Sequence, residues 1–160
     1  IKGTPFNNKM IVTSSHKVPM NMDMTFDDYL KAFGAELPDC VICPGGGLGA
    51  KNLAANVDLL NHLEECWSKD KYVAAICASP AVVLGKTNIL SGKKWTCYPE
   101  MQDNAKPEYL QGYSNKVFIT DGKLITSRGP GAAEEFAMEL VRILAGQAVF
   151  NDIHAGAQLR

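Results

Sequence analysis

Strand-length apolar runs that give way to helix-period stretches constrain the fold of this chain more than any other feature. Cys40-Val41-Ile42-Cys43 is a compact strand signal, stopped by Pro44-Gly45-Gly46-Gly47. Helical stretches follow from Leu48 to about Asn56 and from Val57 to about Trp67, where Leu59, Leu60, Leu63 and Trp67 recur at helical spacing. Tyr72 to Ile76 repeats the pattern and runs through Cys77 into a helix predicted from Ala78 to about Lys86, with Pro80 in its first turn and Gly85 near its end. Such alternation predicts βαβ units and a mostly parallel sheet covered on both faces.

The flanking segments fit the same class. Met10 to Ser14 is a β-branched strand signal and Val18 to Met22 a weaker one; Thr25, Asp27 and Asp28 open a short helix through Phe33, and Pro38 marks a break. Lys94 to Tyr98 reads as a further strand stopped by Pro99, and Glu100 to Gly112 is polar and irregular. Lys116 to Thr120 and Lys123 to Thr126, joined by Asp121-Gly122, predict a hairpin, because Asp-Gly accepts the positive φ of a tight turn. A helix is predicted from Ala132 to Ala145, with Phe136, Leu140, Val141 and Leu144 on one face and Gly146 ending it, while the tail from Gln147 has no definite pattern. No repeat and no linker divides the chain, so residues 1–160 are expected to form a single domain.

Composition removes several functions. A formal charge of -1 with scattered cations argues against nucleic acid or an anionic membrane as partner. No apolar run approaches about 18 residues, so no transmembrane helix is predicted. Five cysteines, at 40, 43, 66, 77 and 97, are too few and too scattered for a secreted disulfide framework, which points to a reducing, cytoplasmic setting. The Cys40/Cys43 pair has the spacing of metal and redox sites, but it lies within an apolar strand and no second pair completes a site. Cys40, Cys43, Cys66 and Cys97 are therefore read as packing residues, with Cys97 close enough to a turn to approach the site; no metal and no cofactor are expected. His62, on a helix, is read as solvated.

Ligands of parallel α/β sheets bind at the carboxyl ends of the strands. Three loops of unusual composition fall there: Gly45-Gly46-Gly47, Cys77-Ala78 and Ser127 to Gly131. Cys77, at a strand-to-helix junction, is the candidate nucleophile, since the amide groups and dipole of a following helix favour thiolate. The glycine turn can aim backbone N–H groups at an oxyanion. It lacks the Gly-Lys-Ser/Thr of a phosphate-binding loop and the spacing of a dinucleotide fingerprint. His16, after the first strand, is a candidate to line the pocket; a cysteine–histidine peptidase pair finds no support in Ala78, which follows Cys77 directly.

Four strings, in order, carry a resemblance: Val41-Ile42-Cys43-Pro44-Gly45-Gly46, Leu48-Gly49-Ala50-Lys51-Asn52-Leu53, Ala74-Ala75-Ile76-Cys77-Ala78 and Thr126-Ser127-Arg128-Gly129-Pro130-Gly131. At these residues the chain resembles the ThiJ/PfpI superfamily, and most closely its DJ-one branch, named for a parkinsonism-associated deglycase; the match extends over about residues 10 to 150. The resemblance implies a flavodoxin-like three-layer α/β sandwich, usually a homodimer, with Cys77 on a strained elbow. It implies an oxyanion hole from the amides of Gly46 and Ala78 and a substrate pocket walled by Gly45, His16, Gly129 and Pro130. His16 falls where some relatives place an anion-binding arginine.

Two departures accompany it. Tyr98 precedes Pro99 where the family often has histidine. The family also begins with a strand-helix-strand unit of roughly 30 or more residues, carrying a glutamate hydrogen-bonded to the cysteine. The chain begins at Ile1 without that unit, so a cleaved or separate N-terminal fragment is expected to supply the glutamate. The activity implied is a cysteine-dependent glyoxalase III or protein-deglycase-like lyase or hydrolase acting on small reactive carbonyls. The alternative is a redox-sensing stress protein or chaperone in which Cys77 is oxidised. Thiamine-precursor chemistry and peptidase action have weaker support.

Overall fold

The computed structural model describes residues 10–34 and 36–159. They fall into two compact units, Ile1–Leu37 and Pro38–Arg160. In the first unit, β1 (Met10–Thr13) and β2 (Pro19–Met22) form an antiparallel hairpin in which Met10 faces Met22. Helix α1 (Phe26–Phe33) follows, its first turn capped by Thr25 Oγ1, which accepts from the Asp28 amide at 3.0 Å.

The second unit holds a four-stranded sheet of β3 (Cys40–Cys43), β4 (Tyr72–Ile76), β5 (Phe118–Asp121) and β6 (Leu124–Ser127), in the order β3-β4-β6-β5. The pairs β3/β4 and β4/β6 are parallel and only β5/β6 is antiparallel. Along β4 the successive residues Val73, Ala74 and Ala75 are all fully buried. Because neighbours on a strand face opposite sides, both faces of the sheet are covered there, as the unbroken apolar run predicts.

Helices α2 (Gly47–Ala55) and α3 (Val57–Ser68) link β3 to β4 with Asn56 as the sole residue between them. The Asn56 side chain accepts from the Leu59 amide at 3.0 Å, so one residue ends one helix and caps the next. Helix α3 packs on β3 and β4. Helix α5 (Ala133–Ala145) sets Phe136 and Leu140 against Ala74 and Ile125, residues paired across β4 and β6. Burying a side chain of this size contributes about 1.5–3 kcal/mol.

Three local expectations need correction. Lys94 to Tyr98 forms no strand: only an isolated bridge joins Trp95 to Tyr113. Trp95, Thr96 and Cys97 are all fully buried, so the middle of the segment has no solvent face. Side chains replace a ladder there, with the Thr96 amide donating to Thr126 Oγ1 at 3.0 Å and Thr96 Oγ1 donating to the Lys116 carbonyl at 2.9 Å. The hairpin turn is displaced by one residue, since Asp121 pairs with Leu124 and leaves Gly122-Lys123 as the loop, with Gly122 at φ 64°. A positive φ at the first loop position alone is the signature of a type II′ turn. Asp121 stays in the strand because its carboxylate accepts from the Lys94 amide at 2.8 Å and pairs with Lys93 at 3.7 Å.

The helix after Cys77 is one α turn, α4 (Ser79–Val82), continued by a 3-10 turn over Leu84–Lys86. The tail forms a helix, α6 (Gln147–Gly156), set off from α5 by Gly146 at φ 89°. Among the described residues no helix is long and apolar enough to cross a membrane.

Candidate functional site

Cys77 lies one residue beyond β4 with φ 64°, a region that costs an L-residue about 1–2 kcal/mol. Two backbone bonds hold it there: its amide donates to the Ser127 carbonyl at 2.9 Å, and its carbonyl accepts from the Tyr98 amide at 2.8 Å. The elbow is thus fixed by the end of β6 on one side and the 95–98 segment on the other.

Gly45 lies against it. A Cβ placed on Gly45 would stand 2.5 Å from Cys77 Cβ and 3.2 Å from Cys77 Sγ, so this position needs glycine for space. Gly46 needs it for conformation, with φ 95°. Its carbonyl accepts from the Ala50 amide at 2.8 Å as α2 begins. Ser79 Oγ donates to the Pro44 carbonyl in a very short bond that ties the glycine loop to α4. Ala78, buried, is the residue before α4. Among the described residues no hydrogen bond engages the amides of Gly46 or Ala78.

Gly129 is extended (φ 168°), a conformation open to any residue, and a Cβ there would rest 3.4 and 3.8 Å from Cδ2 and Cε2 of Tyr98. Pro130 is exposed and starts a 3-10 turn. The second unit therefore brings Gly45, Cys77, Tyr98 and Gly129 into one neighbourhood, and Gly46, Ala78 and Pro130 flank them in sequence. His16 belongs to the first unit, exposed in the β1–β2 turn with Nδ1 3.2 Å from Ser15 Oγ.

All five cysteines are free thiols, and four of them are held protonated. Burial pushes Cys43 up to about 12 and Cys40 to about 11, the latter aided by Asp39 and Cys66. Burial likewise raises Cys97 to about 12, with Cys77 and Asp103 adding to the effect. Cys66 is raised chiefly by burial, and its Sγ lies 3.6 Å from His62 Nε2. His62 is 5% exposed and held below its ordinary value by burial, contrary to the solvated position expected for it. The two are a neutral pair within hydrogen-bonding distance, the direction of the bond set by the imidazole tautomer. The one-turn α4 also offers fewer aligned peptides near Cys77 than the expected helix, leaving its dipole contribution small. Among the described residues no cluster of three or more histidine, cysteine or carboxylate groups is arranged to hold a metal.

One feature of the rim escaped the sequence reading. The Met101 amide donates to the Tyr98 carbonyl at 3.1 Å, closing a turn with Pro99 second and Glu100 third, and Glu100 has φ 68°. This is a type II turn with glutamate where glycine is favoured. The Tyr-Pro dipeptide was the available signal for it.

The family model described as DJ-1/PfpI family matches residues 4–143. The chain belongs to the DJ-1/PfpI family. It is 39% identical over 134 residues to Protein dj-1beta of Drosophila melanogaster, covering 81% of this chain and 68% of that protein. It is 29% identical over 155 residues to the Glutathione-independent glyoxalase DJ-1 of Schizosaccharomyces pombe, covering 92% of this chain and 77% of that one. The crystal structure of Drosophila DJ-1beta superposes with a TM-score of 0.83 at 32% identity, over 95% of this chain and 78% of that one. The chain is shorter than these family members and spans only 30% of the Protein DJ-1 homolog B of Arabidopsis thaliana. The fold is that of the DJ-1/PfpI family, a flavodoxin-like α/β sandwich with a mostly parallel sheet.

Proposed function

We propose that the chain carries the nucleophile of a glyoxalase- or deglycase-like enzyme acting on small reactive carbonyls. The observation that carries the reading is the Cys77 elbow: a cysteine with φ 64°, at the end of a parallel strand, against a glycine that leaves room for its sulfur. A backbone conformation this costly points to a role beyond packing. The glyoxalase name of the S. pombe relative supports the substrate class.

In the proposed step the Cys77 thiolate attacks an aldehyde carbon. A carbon–sulfur bond forms, the carbonyl π pair moves to oxygen, and the amides of Gly46 and Ala78 receive that charge. A proton then completes the hemithioacetal. Gly45, Gly129 and Pro130 line the proposed pocket. A cytoplasmic homodimer without metal or cofactor completes the proposal.

The test is methylglyoxal consumption by the Cys77→Ser variant, expected to fall to background. A variant that keeps the wild-type rate refutes the mechanism. Redox sensing is the second reading, favoured by the partial exposure of Cys77, which only Cys40 among the five cysteines shares. Oxidation confined to Cys77 under mild peroxide, with negligible methylglyoxal turnover by the wild-type protein, would favour it.

A further inference from the structure

Tyr98 is clamped along its backbone yet free at its ring. Its amide donates to the Cys77 carbonyl at 2.8 Å, and its carbonyl accepts from the Met101 amide at 3.1 Å and the Cys97 thiol at 3.3 Å. The ring edge lies over bare Gly129, within 3.4 Å of where a Cβ would stand, and the residue is 47% exposed. An aromatic side chain left half in water is common on a surface. One whose amide is bonded to the carbonyl of Cys77 is held at the edge of the elbow.

We propose that Tyr98 forms an aromatic wall of the Cys77 pocket and makes the site selective for aryl 2-oxoaldehydes, such as phenylglyoxal, over small alkyl ones. The inference rests on Cys77 being the nucleophile. With both flanking peptide units bonded, the Cα–Cβ direction of Tyr98 is held before substrate arrives, and the ring, its edge over Gly129, offers an incoming aryl group a face to cover. Aromatic pairs gain more than their buried area alone provides, corresponding to about a 2- to 12-fold preference. A methyl substituent has no ring to pair. The glycine contributes by keeping the wall low: a larger side chain at 129 would compete with substrate for the same ring.

The experiment has two arms. In the first, kcat/KM for phenylglyoxal and methylglyoxal is measured for the wild type, Tyr98→Phe and Tyr98→Leu. The expected result is an aryl preference retained by Tyr98→Phe and reduced about 2- to 12-fold by Tyr98→Leu, mainly through KM for phenylglyoxal. An unchanged ratio in Tyr98→Leu overturns the proposal. In the second, calorimetric binding of phenylglyoxylate and pyruvate is compared in the Cys77→Ser protein with and without Tyr98→Leu. Tighter phenylglyoxylate binding that requires Tyr98 supports the wall, and equal binding in both proteins overturns it. Failure of the wild type to consume either aldehyde refutes the Cys77 mechanism, whereas the binding arm judges Tyr98 separately.

Discussion

Replacing Gly45 with alanine probes the elbow more finely than removing its sulfur. The added methyl group would sit 2.5 Å from Cys77 Cβ and 3.2 Å from both Cys77 Sγ and the Ile76 carbonyl oxygen. Carbon atoms rest at about 3.5–4.0 Å, so something must move by about 1 Å. Neither side yields easily: Cys77 is bonded through its amide to Ser127 and through its carbonyl to Tyr98, and the glycine loop is tied by Ser79 to α4. Overpacking of this kind costs about 1–3 kcal/mol. At about 2–4 °C per kcal/mol for a chain of this size, the melting temperature should fall by about 2–12 °C. Activity should suffer more, since a displacement of about 1 Å at a nucleophile can cost about a hundredfold in rate. The assay is a thermal melt beside methylglyoxal kinetics, with Gly156→Ala as control, because nothing lies within 4 Å of that position and its φ is ordinary. If Gly45→Ala melts and turns over like the control, the close approach drawn here is wrong.

Glu100→Gly should raise stability by about 1 kcal/mol, because glycine adopts the positive φ without the strain glutamate bears. A melting temperature about 2–4 °C higher checks this, and an unchanged or lower value refutes it. His62 should make the protein acid-sensitive. Its folded value lies below that of the unfolded chain, so below about pH 6.5 the unfolded state takes up a proton that the folded state resists. The stabilisation is complete above that range and is lost as pH falls through it. Urea melts between pH 7 and 5.5 should show a smaller loss for His62→Gln than for the wild type, and equal losses would show that His62 does not govern that range.

The strands that frame the site were legible because each apolar run gives way to a stop or start signal, as β3 does at Pro44-Gly45-Gly46 and β4 does before Ser79-Pro80. Helix α5 was legible from Phe136 and Leu140 on one face and Gly146 at its end. What stayed hidden was decided by distant partners. Trp95-Thr96-Cys97 looks like a strand because apolar and β-branched residues favour one, yet those residues are buried on all sides and bond to Thr126 and Lys116 instead. The hairpin turn moved because Asp121 anchors Lys93 and Lys94, contacts that no local turn rule contains. His62 was misplaced because one residue type on a helix does not say which face is covered. At the candidate site, the cysteine and glycines stood out by their spacing, while the Glu100 turn was signalled only by Pro99, because glutamate is not a residue that a type II turn favours third.

The two backbone bonds of Cys77 also bear on how the molecule folds. They join the end of β4 to Tyr98 and to the far end of β6, and the glycine that makes room for the sulfur comes from the end of β3. No short peptide of this chain contains the elbow. Its loop-closure entropy is recovered only after β3, β4 and β6 lie side by side. The Cys77 elbow is therefore assembled late and by non-local pairing, and a partly folded chain would hold the cysteine without the geometry that distinguishes it from the other four.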